Sequence, residues 1–126
     1  MRLTLLTIFL AITAVGYFQQ AVFYCPRKII KLPKTEEGKS LTWAYHIENK
    51  GQIPLEIYNA DVECSCTEVF LSKSKLLPGE TAEIRVTFNT MGRPFYQDRK
   101  IKLTTNSKKK LVYLRFKVYV IPTQVG

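Results

Sequence analysis

Apolar and polar residues alternate with a period of two along most of the chain. Leu41, Trp43, Tyr45 and Ile47 alternate with Thr42, Ala44, His46 and Glu48. Leu55 and Ile57 alternate with Glu56 and Tyr58. Ala82, Ile84, Val86 and Phe88 alternate with Glu83, Arg85 and Thr87. Ile101 and Leu103 are flanked by Lys100, Lys102 and Thr104, and a last run carries Val112, Leu114, Phe116, Val118 and Val120 between Tyr113, Arg115, Lys117 and Tyr119. Successive side chains of a strand point to opposite faces, so each run predicts a strand with one buried and one wet face. No stretch after residue 24 repeats apolar residues at helical spacing for ten residues.

Turn-forming residues separate these runs: Asn49-Lys50-Gly51, Ile53-Pro54, Leu77-Pro78-Gly79-Glu80, Met91-Gly92-Arg93-Pro94 and Asn106-Ser107-Lys108. Gly51 is available for a positive φ, and Pro78-Gly79 is a turn centre. About seven short strands in this arrangement predict an all-β, antiparallel, immunoglobulin-like sandwich. A half-polar alternation argues against parallel strands, which are apolar on both faces. Trp43, mid-strand on an apolar face, is expected to anchor the core between the two sheets.

Residues 1–23 break the pattern. Arg2 precedes a run from Leu3 to Phe18 without charge, the layout of a secretory signal peptide. Ala14-x-Gly16 fits a small-x-small cleavage site, with Ala21 a weaker second. The alternative is an uncleaved membrane anchor: sixteen residues reach roughly 24 Å as a helix, against a hydrocarbon core of about 30 Å. Either reading predicts an N-terminal apolar helix outside the fold and exports the rest, to the periplasm, soluble or tethered to the inner membrane. The expected organisation is a leader over 1–23, a linker or first-strand region over 24–36, the sandwich over 37–121 and a tail over 122–126.

Composition narrows the picture. A chain of 126 residues holds one domain, and 46% apolar with 23% charged residues is ordinary for a globular protein. The net charge of +9 is unevenly placed. Nine acids and four lysines from Glu36 to Glu83 sum to −5, whereas ten basic residues against Asp98 from Arg85 to Gly126 sum to +9. The C-terminal strands would therefore offer a basic interaction face built from Arg99, Lys100, Lys102, Arg115 and Lys117. Such a face suits an acidic protein partner or an anionic membrane surface. Nucleic acid is disfavoured by the export signal and by the absence of any nucleic-acid-reading motif.

The cysteines are Cys25, Cys64 and Cys66. On a flat strand Cys64 and Cys66 would lie roughly 6.5 Å apart, near the upper limit for a disulfide, so a direct bond needs a bend. Four arrangements are open: Cys25 bonded to one of the pair, a Cys64–Cys66 bond in a bend, a soft-metal site on the thiolates, or buried thiols. His46, the sole histidine, is the only imidazole able to join the cysteines around zinc. No catalytic constellation, P-loop or dinucleotide fingerprint is present, so neither an enzyme nor a cofactor is expected.

Four ordered motifs resemble a known family. Asn49-Lys50-Gly51-Gln52-Ile53-Pro54-Leu55-Glu56-Ile57 resembles the N-x-G-x-x-P-L-x-I segment of the exported bacterial family called domain of unknown function 1573. Cys64-Ser65-Cys66-Thr67 is similar to its Cys-Gly-Cys-Thr, Pro78-Gly79-Glu80 to its turn, and Ile84 to Thr90 with Thr105-Asn106 to its later strands. The resemblance spans about residues 37–121. It implies an exported seven-strand sandwich of the PapD, major-sperm-protein and ASH type, common in the Bacteroidetes, with no established enzyme activity. Ser65 in place of Gly, and Pro94 near a second expected Gly, are departures in the loops. The expected function is a non-enzymatic interaction module, a small accessory subunit of a cell-envelope complex partnering an envelope or membrane protein. The alternative is a thiol site at Cys64 and Cys66 for copper or redox handling.

Overall fold

The structure, a computed structural model, describes residues 19–123. Ten strands follow in order: β1 (Phe23–Tyr24), β2 (Ile29–Lys31), β3 (Thr35–Glu36), β4 (Ser40–Asn49), β5 (Leu55–Val62), β6 (Thr67–Leu71), β7 (Lys75–Leu76), β8 (Thr81–Asn89), β9 (Phe95–Thr105) and β10 (Leu111–Ile121). They form two sheets. The first has the order β1-β4-β8-β6; the second has β2-β10-β9-β5-β7, with β3 also pairing β10. There is no helix among the described residues. The expected N-terminal apolar helix, and with it the Ala14-x-Gly16 cleavage site, lies outside them.

The five alternating runs all become strands, and their apolar members turn inward. Tyr45, Ile47, Ile84, Val86, Phe88, Ile101, Leu103, Leu114 and Phe116 are buried between the sheets. Phe116 of the second sheet packs between Trp43 and Phe88 of the first, with ring centroids 4.7 and 5.3 Å away. Tilted aromatic contacts of this kind add to what their buried area contributes. Trp43 is thus the inter-sheet anchor expected of it. The Tyr45 hydroxyl donates to the Arg115 carbonyl at 2.7 Å, tying the sheets together by a polar bond as well.

Three expectations need correction. First, the sheets are not wholly antiparallel. β2 and β3 run parallel to β10, pairing Ile29 with Arg115 and Thr35 with Val120. These strands of two or three residues are too short to show an alternation, and so the segment over 24–36 reads as a linker. Second, the fold begins before residue 24. β1 pairs Phe23 with Asn49, and Ala21 is fully buried. The Ala21 carbonyl accepts from the Lys108 amide, and that of Val22 from Lys50. A small apolar residue reads alike in a leader and in a core, which hid this boundary. Cleavage after Ala21 would cut into the folded body.

Third, Gly51 is needed for space and not for a left-handed φ. Among the described residues, positive φ belongs to Gly38, Gly79, Gly92 and Phe95. A Cβ on Gly51 would stand 2.6 Å from the Val22 nitrogen and 2.8 Å from the Ala21 Cα. Gly79, by contrast, has φ +82. With Pro78 before it and a Glu80 amide to Leu77 carbonyl bond of 2.9 Å, it completes a type II turn. Phe95, the first residue of β9, has φ 73 and bears the left-handed strain where the loop that departs from the family pattern enters the strand.

Asn49 organises the start of the sandwich. Its side chain is fully buried and makes four hydrogen bonds. Nδ2 donates to the carbonyls of Ile53 (2.8 Å) and Leu76 (3.0 Å), while Oδ1 accepts from the amides of Val22 (3.2 Å) and Gly51 (2.9 Å). One amide side chain thereby holds β1, the turn before β5, and β7.

Candidate functional site

Residues directly opposite in a ladder share a face. By register, the outer face of the second sheet carries Arg115 between Ile29 and Lys100, Lys117 between Lys31 and Asp98, and Lys102 between Tyr113 and Asp61. Four of the five expected basic residues therefore do converge. Arg99 does not: it lies opposite Phe116 on the other face, and its Nη2 donates to Gln97 Oε1 at 2.8 Å. The period-two rule separates Arg99 from Lys100, so grouping both on one face is corrected.

The convergent residues are also less basic than their number suggests. Arg115 grips Asp98 with two bonds, Nε to Oδ1 at 2.6 Å and Nη2 to Oδ2 at 2.5 Å. This contact holds the Asp98 carboxyl below its usual range and raises the Arg115 guanidinium above its own. Lys102 stands 3.8 Å from Asp61. The face is an ion-pair ladder in which Lys31, Lys100 and Lys117 supply the surplus charge.

The thiol pair occupies the corner where β5 passes to β6. Cys64 and Cys66 are disulfide-bonded across a turn that brings their Cα atoms to 5.2 Å. The Thr67 amide donates to the Cys64 carbonyl at 3.2 Å, closing that turn. Ser65 is exposed and both cysteines are half-buried. Cys25 is buried and free, and burial pushes its thiol above the ordinary value. It follows β1 at the Glu48–Asn49 end of β4. The Cys66 carbonyl instead accepts from the Asn89 amide, and Asn89 pairs with Ser40 at the other end of β4. Eight residues of extended strand separate those ends, roughly 26 Å, which excludes a bond from Cys25 to either partner.

A joint metal site of the three cysteines and His46 is excluded on the same ground. His46 lies on the outer face opposite Glu83, its Nδ1 3.6 Å from the carboxylate. No three His, Cys, Asp or Glu side chains among the described residues are grouped to hold a metal ion.

Pairing at an open sheet edge is a mode the sequence also suggests, and the structure places a free edge at β4. The Asn49 amide donates to the Glu80 carbonyl at 3.0 Å, and the Thr90 amide to the Lys39 carbonyl at 3.1 Å. Odd-numbered residues of β4 thus turn their backbone groups toward β8. Even-numbered ones turn away, as the Lys50 amide does toward Val22 at 3.0 Å. On that second side β1 pairs only with Glu48 and Asn49. Among the described residues, the N–H and C=O groups of Ser40, Thr42, Ala44 and His46 have no strand beside them. Proteins commonly guard such an edge with lysine, proline or a bulge. Leu41 to Ile47 contains neither residue, and its ladder with β8 is unbroken. That unguarded composition was the readable signal, but which side of β4 stays open depends on where β1 ends.

The family model described as a protein of unknown function, DUF1573, matches residues 25–120. The chain belongs to the DUF1573 family. Among solved structures it is similar to a protein of unknown function from Porphyromonas gingivalis W83, at 15% identity and a TM-score of 0.73, over 86% of this chain and 51% of that one. This member of the DUF1573 family therefore spans about half the length of that protein. It is also similar to an ASH/PapD-like domain of human CEP192, at 12% identity and a TM-score of 0.65, covering 83% of this chain and 89% of that one. A third likeness is to a chain of the CsuC–CsuE chaperone–tip adhesion subunit pre-assembly complex of Acinetobacter baumannii, at 15% identity and a TM-score of 0.54, covering 80% and 53%. At these identities the likeness is one of fold: an immunoglobulin-like sandwich of the PapD and ASH type. No curated protein matches the sequence.

Proposed function

We propose that this chain is an exported, non-enzymatic interaction module, a small accessory subunit of a bacterial cell-envelope complex. It takes an extended segment of a protein partner onto the free edge of β4. The observation that carries this reading is the row of four residues whose backbone donors and acceptors face outward, with no strand beside them among the described residues. Strand addition supplies affinity through main-chain bonds and specificity through alternate side chains. The PapD-like fold supports an interaction role, and one neighbour of this fold comes from a chaperone–subunit complex. Arg2 followed by sixteen uncharged residues supports export. The surplus charge of Lys31, Lys100 and Lys117 would favour an acidic partner surface or anionic lipid beside the docked segment.

Native mass spectrometry of the full chain, extracted gently from its own membranes, tests this. Ala44→Pro removes one outward-facing edge amide, a change that edge strands tolerate. The expected result is a complex with the wild-type protein that Ala44→Pro abolishes while its unfolding temperature stays within a few degrees. A complex that survives Ala44→Pro and is lost in Lys100→Glu/Lys102→Glu moves the contact to the ladder face. A wild-type protein that emerges alone refutes the interaction reading.

A further inference from the structure

We propose that Cys64 and Cys66 form a reversible redox couple that exchanges with dithiols while the protein stays folded. Three observations point there, none of them needed for strand addition at β4.

The bond does little as a staple. It joins positions two residues apart, and the constraint a disulfide places on the unfolded chain is weakest for the shortest loops. The corner is already closed without it. The Thr67 amide holds the Cys64 carbonyl, and the Asn89 amide holds that of Cys66 at 2.8 Å. Val62 stays paired with Ile101 on the preceding side. Reduction removes none of these contacts.

The bond is also reachable. Ser65 between the sulfurs is exposed, as are Val62, Glu63 and Glu68 around the corner; the cysteines themselves are half-buried, with Cys66 packed against the edge of the core. A bond at an exposed turn is open to an incoming thiolate, and solvent-accessible disulfides are the labile class. The free thiol at Cys25 stands at the far end of β4, so it cannot intercept the pair and scramble it.

Finally, the corner distinguishes the two sulfurs. The Cys66 amide donates to Cys64 Sγ at 3.1 Å. A backbone N–H aimed at sulfur stabilises a thiolate there, and the sulfur that better bears negative charge leaves faster. An incoming thiolate therefore attacks Cys66 Sγ. The Cys64–Cys66 bond breaks, and Cys64 departs as a thiolate that takes up a proton. The resulting mixed disulfide on Cys66 is resolved by the partner's second thiol, which expels the Cys66 thiolate to be protonated in turn. Two electrons and two protons pass from the dithiol to the protein, and the dithiol becomes a disulfide. The reverse sequence restores the bond.

The test uses the full-length protein in buffers of stepped reduced-to-oxidised dithiothreitol ratio, followed by alkylation and mass measurement. The expected result is two alkyl groups on Cys64 and Cys66 in native protein, in a fraction that follows the ratio in both directions. Cys25 should be labelled only after guanidinium is added. In reduced glutathione alone, peptide mapping should find the adduct on Cys66. A bond that resists reduction until denaturant unfolds the chain overturns the proposal. So does reduction that exposes Cys25 at the same ratio, because the bond would then be holding the fold. A glutathione adduct on Cys64 overturns the assigned direction of attack.

Discussion

Replacing Asn49 by alanine should be among the most damaging single changes in this protein. The side chain makes four hydrogen bonds to backbone groups of three different segments, and it is wholly buried. Each such bond is worth about 1 kcal/mol net, and a buried partner left unpaired costs about as much again. Leu76 is fully buried, so the carbonyl that loses Nδ2 has little prospect of replacement by water. The amides of Val22 and Gly51 lie nearer the surface and can be partly rehydrated. The combined loss comes to about 4 kcal/mol, which for a domain of this size lowers the unfolding temperature by roughly 15–25 °C. Thermal unfolding followed by circular dichroism reads it directly. Asn59→Ala is the comparison. Asn59 is exposed, its side chain donating to Asp61 Oδ1, and its loss should stay within about 0.5 kcal/mol. If Asn49→Ala shifts the midpoint no more than Asn59→Ala does, the side chain is not what joins these segments.

Two further outcomes follow from buried groups near the same end of the sandwich. Burial pushes the Tyr45 phenol up to about 12 from an ordinary value of 10.0. Its contribution to stability is then complete below the unfolded value and is lost as pH rises through the folded one. The wild-type midpoint should accordingly fall faster than that of Tyr45→Phe between pH 10 and 12, and parallel curves would count against this. Gly51→Ala places a methyl group against the backbone of residues 20–22. It should speed amide hydrogen exchange over residues 20–24 well before the rest of the sandwich, and unchanged protection there would sink the reading.

The strands were legible where side-chain alternation was long enough to count. Ser40–Asn49, Thr81–Asn89 and Leu111–Ile121 alternate over nine residues or more, and a burial rule with a period of two needs about that length to stand out. The segment from Cys25 to Glu36 did not stand out. Its strands are held mainly by backbone bonds to β10, such as the Arg115 amide to the Lys28 carbonyl at 2.8 Å, and backbone bonds carry no side-chain signature. The sites divide in the same manner. That Cys64 and Cys66 could bond only in a bend was readable from strand spacing. That Arg99 leaves its neighbours follows from alternation alone, since odd and even positions of β9 face opposite ways. The ion pairs that offset Arg115 and Lys102 were not readable, because Asp98 and Asp61 reach them only through strand pairing. Nor was the open side of β4, which depends on a β1 of two residues.

The parallel pairing of β2 with β10 sets a timetable for the molecule. Ile29 finds Arg115, a partner 86 positions later in the chain. At about 5–20 residues per second, the early strand exists for several seconds before its neighbour has been synthesised. Until then the second sheet lacks its closing edge. β2 and β3 therefore dock only after β10 has been made, whereas β1 finds its partner at Asn49 much earlier.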